Sequence, residues 1–355
     1  MGIADRYLLQ SVFLNWLAVL VVLLCVTLGL SVGDTLSDVA MGRVPAHLLT
    51  TQLGLKTLEG SVILVPLSLF LGIVLAFGRL WRDQELTVLA ACGYGRWSMF
   101  RPLIVITIPL LAVMVVLSLW LAPWALRTSK ALIAQAASEV SVAGLQAGRF
   151  HEFAAGDSVV YVGDLDEDGR FTNAFIHVDR DGRKDIVTAT SGFQYQDALG
   201  NKYLALENGE RSEGTPGEGD YRWMTFARND VRLPTPQTQA AVTKLGALPL
   251  AEVLDGTTPG HHAEFHRRLA PIVALLVLVA LANPLSRTSP RSGYFGNLVA
   301  ALMIYIVYAN VLTVATAWLE GDPAWRTLGL WWVHLVGLAL ALWMLRNRHT
   351  RRRSA

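Results

Sequence analysis

Two short stretches carry residue types that could do chemistry. Asp164, Asp166, Asp168 and Gly169 reproduce the D-x-D-x-D-G opening of a calcium loop, in which the acids ligate the ion and the glycine permits a sharp turn. The twelfth position of such a loop should supply a bidentate glutamate, but here it is Phe175, so the stretch reads as a hairpin turn between strands. His262 and His266 stand four apart and would share a helix face able to grip a metal. Glu264 lies two residues on and points to the far side, unlike the H-E-x-x-H arrangement, so the pair reads as the polar lead-in to an apolar segment. His334, alone in an apolar run, reads as a packing or hydrogen-bonding residue. The chain has no G-x-x-x-x-G-K-[ST] loop to cradle nucleotide phosphates, so ATP-driven work would need a partner that binds the ATP. No metal, cofactor or catalytic residue is expected.

The elements that would position these residues are mostly apolar. The 355 residues are 53% hydrophobic and only 16% charged, with a positive mean hydropathy, which marks a membrane-embedded chain. Six runs free of Asp, Glu, Lys and Arg span Tyr7–Gly33, Gly60–Gly78, Pro102–Leu126, Leu269–Ser286, Ser292–Leu319 and Thr327–Leu345. Each can hold a helix across roughly 30 Å of hydrocarbon, the 18-residue fourth run being the shortest. With the N-terminus inside, the cytoplasmic flanks hold twelve arginines: Arg6, Arg79, Arg82, Arg96, Arg101, Arg287, Arg291, Arg346, Arg348 and Arg351 to Arg353. The opposite short loops hold only Arg43, Lys56 and Arg326, which puts both termini in the cytoplasm. The first run is longer than a signal-peptide core and lacks a closing cleavage pattern, so it is expected to stay as a span. Cys25 and Cys92 fall in different compartments and should not pair. A formal net charge of +2 gives no reason to expect nucleic acid.

Between the third and fourth runs lies an insert large enough for one domain. After a helical exit over 123–140 it changes to SVVYV (158–162), FTNAFIHV (171–178), DIVTAT (185–190), KYLAL (202–206) and YRWMTFA (221–227). Turn-forming DEDG (166–169), DRDG (179–182), LGN (199–201) and ENGE (207–210) separate them, which predicts an antiparallel all-β domain. Apolar residues fall on both faces of several runs, so a sandwich or open roll fits better than a one-faced sheet. Its interior could be plain core or could admit acyl chains. The expected division is 1–124 for spans one to three, 125–262 for the insert with its helical entry, and 263–355 for spans four to six and a basic tail.

The loop WRDQELTVLAACGYGRW, Trp81 to Trp97, is too apolar in its middle to be left in water. On a helix, Leu86, Leu89, Ala90 and Gly93 share one face, and Asp83 and Glu85 suit its N-terminal end. Such a short helix, with an apolar stripe, is shaped to dock in a groove of another protein.

These residues carry a family resemblance. ILVPLSLFLGIVLAFGRLWRDQELTVLAACGYG (Ile63 to Gly95) resembles the second span and following cytoplasmic helix of the lipopolysaccharide-export permeases, the LptF/LptG family. Glu85, Leu86, Thr87, Val88, Ala91 and Gly93 match that family's coupling helix, with Leu89 where Met is common. DRYLLQSVF near the start, GRF at 148–150, HRRLAPIVALLVLVALANPLSRTSPRSG (266–293) and NLVAALMIYIVYANVL (297–312) extend the likeness over nearly the whole chain. The PLSRTSPRSG pattern places it on the LptF side of the family.

The resemblance implies a six-span α-helical membrane subunit with an inserted jellyroll-like periplasmic β-domain. It implies assembly with a second, LptG-like permease subunit, an LptB-like ATPase dimer holding ATP and Mg, and an LptC-like periplasmic protein. The substrate implied is lipopolysaccharide, taken from the inner membrane and passed to a periplasmic bridge. Asp83, Glu85, Leu86, Thr87, Leu89, Ala90 and Gly93 would couple to the ATPase, while Arg43, Lys56, Phe150, Tyr305, Tyr308 and Asn310 would line the substrate path. For the tyrosines and the asparagine, interhelical hydrogen bonding is an equal alternative. Two departures stand out: Asp34 and Asp38 occupy the end of the first span where the family often has Lys or Arg, and Tyr294 follows Gly293 where a base is frequent. Other readings are a permease for another amphiphile, a membrane scaffold for a β-domain, and an intramembrane hydrolase built on His262, Glu264 and His266.

Overall fold

The computed structural model describes residues 2–350 apart from 41–43, 96, 140–147, 154–157, 167–169, 181–182, 198–201, 218, 233–244, 257, 288–293 and 322–327. The chain forms two compact units, residues 1–130 with 242–355, and residues 131–241. The segment from 245 to 262, expected with the insert, packs on the helical unit instead. A buried arginine described below holds it there.

The helical unit contains α1 (Ile3–Ala40), α2 (Leu49–Arg82), α3 (Glu85–Ala91), α4 (Phe100–Val116) and the first part of α5 (Ala122–Glu139), whose residues from 131 on belong to the other unit, then α6 (Leu250–Asp255), α7 (Pro259–Leu285), α8 (Tyr294–Gly321) and α9 (Trp331–Thr350). One π-helical turn, Leu117–Leu121, joins α4 to α5. Five of these helical stretches are long and apolar enough to cross a membrane. The sixth expected span is α9, whose apolar part, Trp331–Arg346, is shorter than the run read from the sequence. Just before it, Gly329 has φ +56° and passes so close to the His266 ring that a Cβ there would lie 2.4 Å from it.

Burial within the unit is uneven. In the most apolar windows of α2 and α7, 67% of residues are buried, against 6% in α1 and 17% in α8. The centre of the bundle is therefore α2 and α7, with Leu69, Phe70, Ile73, Phe77, Leu275 and Leu278 among its buried side chains. On α1 only Asp5, Leu8, Ser11, Val12 and Thr35 are buried. Gly72 lets α1 approach α2, because a Cβ there would sit 2.6 Å from the Trp16 Cα, and Trp16 Nε1 donates to Ser68 Oγ at 3.1 Å. Gly72→Leu is therefore expected to push the two backbones apart and cost about 1–3 kcal/mol, as overpacking does. A lowered thermal unfolding midpoint in detergent would register it, and an unchanged midpoint would contradict the close approach.

The insert folds as β1 (Phe150–Phe153), β2 (Ser158–Leu165), β3 (Arg170–Arg180), β4 (Arg183–Gln196), β5 (Lys202–Gly214) and β6 (Arg222–Arg232). They make one antiparallel sheet in the order β1 to β6. The all-β domain expected from the sequence is there, as one sheet with meander connectivity and not as the two facing sheets of a sandwich. Two local readings change. β1 was not foreseen as a strand, and ENGE at 207–210 is no turn, since β5 runs through it.

The register explains why. The pairing skips Gly163, Asn173, Thr190, Asn208 and Ala227, which mark one row of irregular positions across the sheet. Asn173 and Asn208 have φ of 53° and 50°, values that asparagine tolerates better than most residues. Across this row the buried positions are three apart, Phe171 to Ala174 and Ala189 to Gly192, instead of the even spacing of a flat strand. Both halves thereby turn apolar residues toward one core containing Val162, Phe171, Ala174, Val187, Leu204 and Leu206. A Cβ at Gly192 would lie 2.4 Å from the Phe171 ring, and one at Gly209 would lie 2.4 Å from the Phe226 ring. Aromatic side chains cover both glycines.

Candidate functional site

The first site centres on α3. Its N-cap, Gln84, is left-handed (φ 61°), and its C-terminus closes in a Schellman motif. Tyr94 N–H donates to the Leu89 carbonyl at 2.9 Å and Gly93 N–H to the Ala90 carbonyl at 3.2 Å, with Gly93 at φ +89°. Gly93 therefore ends the helix and does not extend its apolar stripe. Leu86, expected to face a partner, is fully buried in the same cluster as Leu80, Met99 and Leu103. Leu89 packs against that cluster. The seven-residue helix is anchored inward by these two leucines, and its outward apolar residues are Val88 (60% exposed), Ala90 and Ala91. Thr87 is half-buried, and Asp83 pairs at the surface with Arg82 at 3.2 Å.

Two bonds missed at the sequence level tie this helix to α1. Tyr7 Oη donates to Glu85 Oε2 at 2.7 Å, and Tyr94 Oη donates to Asp5 Oδ1 at 2.5 Å. Burial and the bond to Asp5 push the Tyr94 hydroxyl well above an ordinary phenol, so it remains a donor at physiological pH. Asp5 is held in turn by the Gly2 backbone N–H at 2.9 Å. Residues 78 and 89 positions apart cannot be paired from spacing alone.

The second site is a groove of about 550 Å³ between α2, α5, α7 and α8. Tyr305 and Tyr308 line it, and Tyr308 also shares a 2.6 Å hydrogen bond with His334 Nδ1. Asn310 bonds back to the Ile306 carbonyl of its own helix at 2.8 Å and lies exposed on another face. Lys56 donates to Thr35 Oγ1 at 3.1 Å and lies 4.0 Å from Asp38, so the acid that departs from the family pattern holds this lysine. Phe150 is on the edge strand β1, 67% exposed, its ring 4.8 Å from Tyr161. Arg43 lies outside the described residues, as does the Asp168–Gly169 end of the calcium-like turn. His266 lies edge-on to Trp331 at 6.3 Å, and among the described residues no group of three or more His, Cys, Asp or Glu could hold a metal.

At the groove's polar end is a charged cluster of Glu264, Arg267 and Arg268. Glu264 Oε1 accepts from Arg268 Nε at 2.7 Å, and its two oxygens accept from Arg267 at 2.6 and 2.9 Å. Glu264 and Arg268 are 5% and 3% exposed. Arg268 Nη2 reaches the carbonyls of Leu245, Gly246 and Leu248, clamping the returning chain onto α7. Ser118, in the π turn, donates to the Arg268 carbonyl at 2.6 Å. The i, i+4 spacing of Glu264 and Arg268 was the available signal.

Residues 6–347 match the family model described as lipopolysaccharide export system permease LptF/LptG. The lipopolysaccharide export system permease protein LptF of Escherichia coli K12 is 26% identical over 340 residues, covering 95% of this chain and 93% of that protein. The Shigella flexneri protein of the same name shows the same identity and coverage.

Proposed function

The chain belongs to the lipopolysaccharide export permease family LptF/LptG, and from that premise we propose that it is one membrane subunit of an ATP-driven lipopolysaccharide exporter. The observation that carries this reading is the distribution of apolar surface. α1 and α8 are apolar enough to span a bilayer and are the least buried of the five long candidates. They are the first and fifth spans, the pair that a second permease subunit would face across a lipid cavity. Buried α2 and α7 form the rigid post behind them.

Extraction of a many-chained lipid is uphill by roughly 0.8 kcal/mol per methylene removed from hydrocarbon. The chain carries no P-loop motif, so an LptB-like ATPase dimer on the cytoplasmic side supplies the energy, with ATP and Mg held there. Its movement enters through the outer face of α3, which Leu86 and Leu89 fix to the bundle. The Tyr7–Glu85 and Tyr94–Asp5 bonds connect α3 to the start of α1, so displacement of the coupling helix shifts the first span as well as the second. Both termini are cytoplasmic, the chain lies in the inner membrane, and the β-domain lies in the periplasm against an LptC-like partner that receives the lipid.

The test is reconstitution of the chain with its partner subunit and ATPase in proteoliposomes, following ATP-dependent transfer of lipopolysaccharide to a periplasmic acceptor. Transfer in wild type that falls about tenfold in Glu85→Ala, with the chain still inserted, is the expected result; tenfold corresponds to roughly 1.4 kcal/mol of lost coupling. ATP hydrolysis without any lipid transfer would reject the reading.

A further inference from the structure

The groove between α2, α7 and α8 has a polarity gradient that all three helices repeat. On α7 the carboxylate of Glu264 is outermost, Arg267 and Arg268 follow, and the lining ends in apolar Ala274 and Leu278. Fourteen residues separate Glu264 from Leu278, about 21 Å of helix. On α8 Glu320 is outermost, Thr316 and Thr313 follow, and Leu312 lies deeper. On α2 Glu59 is outermost and Ile63 and Pro66 are deeper. These five, Glu59, Glu264, Arg267, Arg268 and Glu320, are the charged residues of the lining.

Within the cluster, Arg268 is enclosed: its Nε and Nη2 are engaged and its Nη1 is buried by protein in a residue only 3% exposed. The guanidinium open to an anionic acceptor in the groove is that of Arg267, whose side chain is 54% exposed. Glu264 is already spent on both arginines, whereas Glu59 and Glu320 are exposed at the mouth. Gly246 keeps space for the Arg267 guanidinium, since a Cβ there would lie 2.7 Å from Nη2.

We propose that this groove holds one phospholipid of the surrounding bilayer with a phosphoethanolamine headgroup. An acyl chain lies along the apolar slot toward Leu278, the phosphate meets the half-exposed Arg267 guanidinium with the charge of Arg268 behind it, and the primary ammonium meets Glu59 and Glu320. The sequence apolar, cationic, acidic matches chain, phosphate, ammonium in order. A volume of about 550 Å³ suits one chain and not the several of a lipopolysaccharide. The acids at the mouth also disfavour a second phosphate. A choline headgroup fits less well because its quaternary nitrogen has no N–H to donate to the glutamates. The lipid would tie α2, α7 and α8 together whatever the complex exports.

The experiment offers the purified full-length chain, without the ATPase, equal amounts of phosphatidylethanolamine, phosphatidylcholine and phosphatidylglycerol of identical chains, and counts retained lipid by native mass spectrometry. Phosphatidylethanolamine should be retained about tenfold over either competitor, the effect of roughly one charge-assisted hydrogen bond. Glu59→Gln with Glu320→Gln, both at exposed positions, should erase that preference while leaving retention of phosphatidylglycerol. Thr313→Trp, at the exposed lip, should exclude all three. Equal retention of the three lipids, or a preference that survives the double substitution, would overturn the proposal. Displacement by inorganic phosphate alone would reduce the site to a simple anion pocket and overturn it as well. Displacement by lipopolysaccharide would overturn the resident-lipid assignment in favour of cargo. Because no transport is measured, failure of the export reading would leave these outcomes legible.

Discussion

Val88→Asp is expected to leave the chain inserted and folded while lowering its retention of the cytoplasmic ATPase tenfold or more. Val88 is 60% exposed on the outer side of α3, beside exposed Ala91. Burying a valine at an interface contributes about 1.5–3 kcal/mol, and an unpaired carboxylate in its place adds a desolvation cost. Either loss exceeds the 1.4 kcal/mol that corresponds to tenfold. Leu86 supplies the contrast. It is fully buried against the bundle, so Leu86→Ala should cost about 2–5 kcal/mol of stability as a core truncation and affect the ATPase only through unfolding. The two variants are compared by co-purification of the ATPase with the tagged chain and by thermal unfolding in detergent. Val88→Asp with wild-type retention would show that the partner docks elsewhere. Leu86→Ala that releases the ATPase at full thermal stability would return the docking role to the stripe read from the sequence.

That stripe shows where one-dimensional reading stops. Period and composition located the helix between Asp83 and Gly95 because apolar spacing and terminal acids are local signals. Which apolar face meets the chain's own bundle is a tertiary matter, and both faces of a seven-residue helix bearing Leu86, Val88, Leu89 and Ala91 are apolar enough to be buried. The long apolar runs were legible for the same local reason, since a membrane span must satisfy its own backbone. The close approach of Gly329 to the His266 ring was not, because the two residues lie on different elements. In the β-domain the loose alternation of the strands was visible. Its cause, a row of irregular positions crossing the sheet through Asn173 and Asn208, needed the register. Asn and Gly together in ENGE signal a turn, whereas here strand β5 runs on through them.

Glu264→Leu and Arg268→Met test the buried cluster as a pair, and each alone is expected to be severely destabilising. Removing Glu264 leaves the Arg268 guanidinium buried with only carbonyl partners, and breaking a buried ion pair from one side costs about 3–5 kcal/mol. Removing Arg268 leaves Glu264 with Arg267, which is half-exposed, and strips the carbonyls of Leu245, Gly246 and Leu248 of their shared donor. Because Arg267 still compensates the carboxylate, Arg268→Met should be the milder of the two for charge but the more damaging for the 245–248 segment. Limited proteolysis near residue 245 would then rise in Arg268→Met more than in Glu264→Leu. The double variant should recover part of the loss, since two apolar side chains of similar volume no longer bury an unpaired charge. A thermal unfolding cycle over the four proteins measures this coupling directly. Strict additivity, with the double variant losing the sum of the singles, would show that Glu264 and Arg268 act separately and that the clamp on the returning chain does not depend on their pairing.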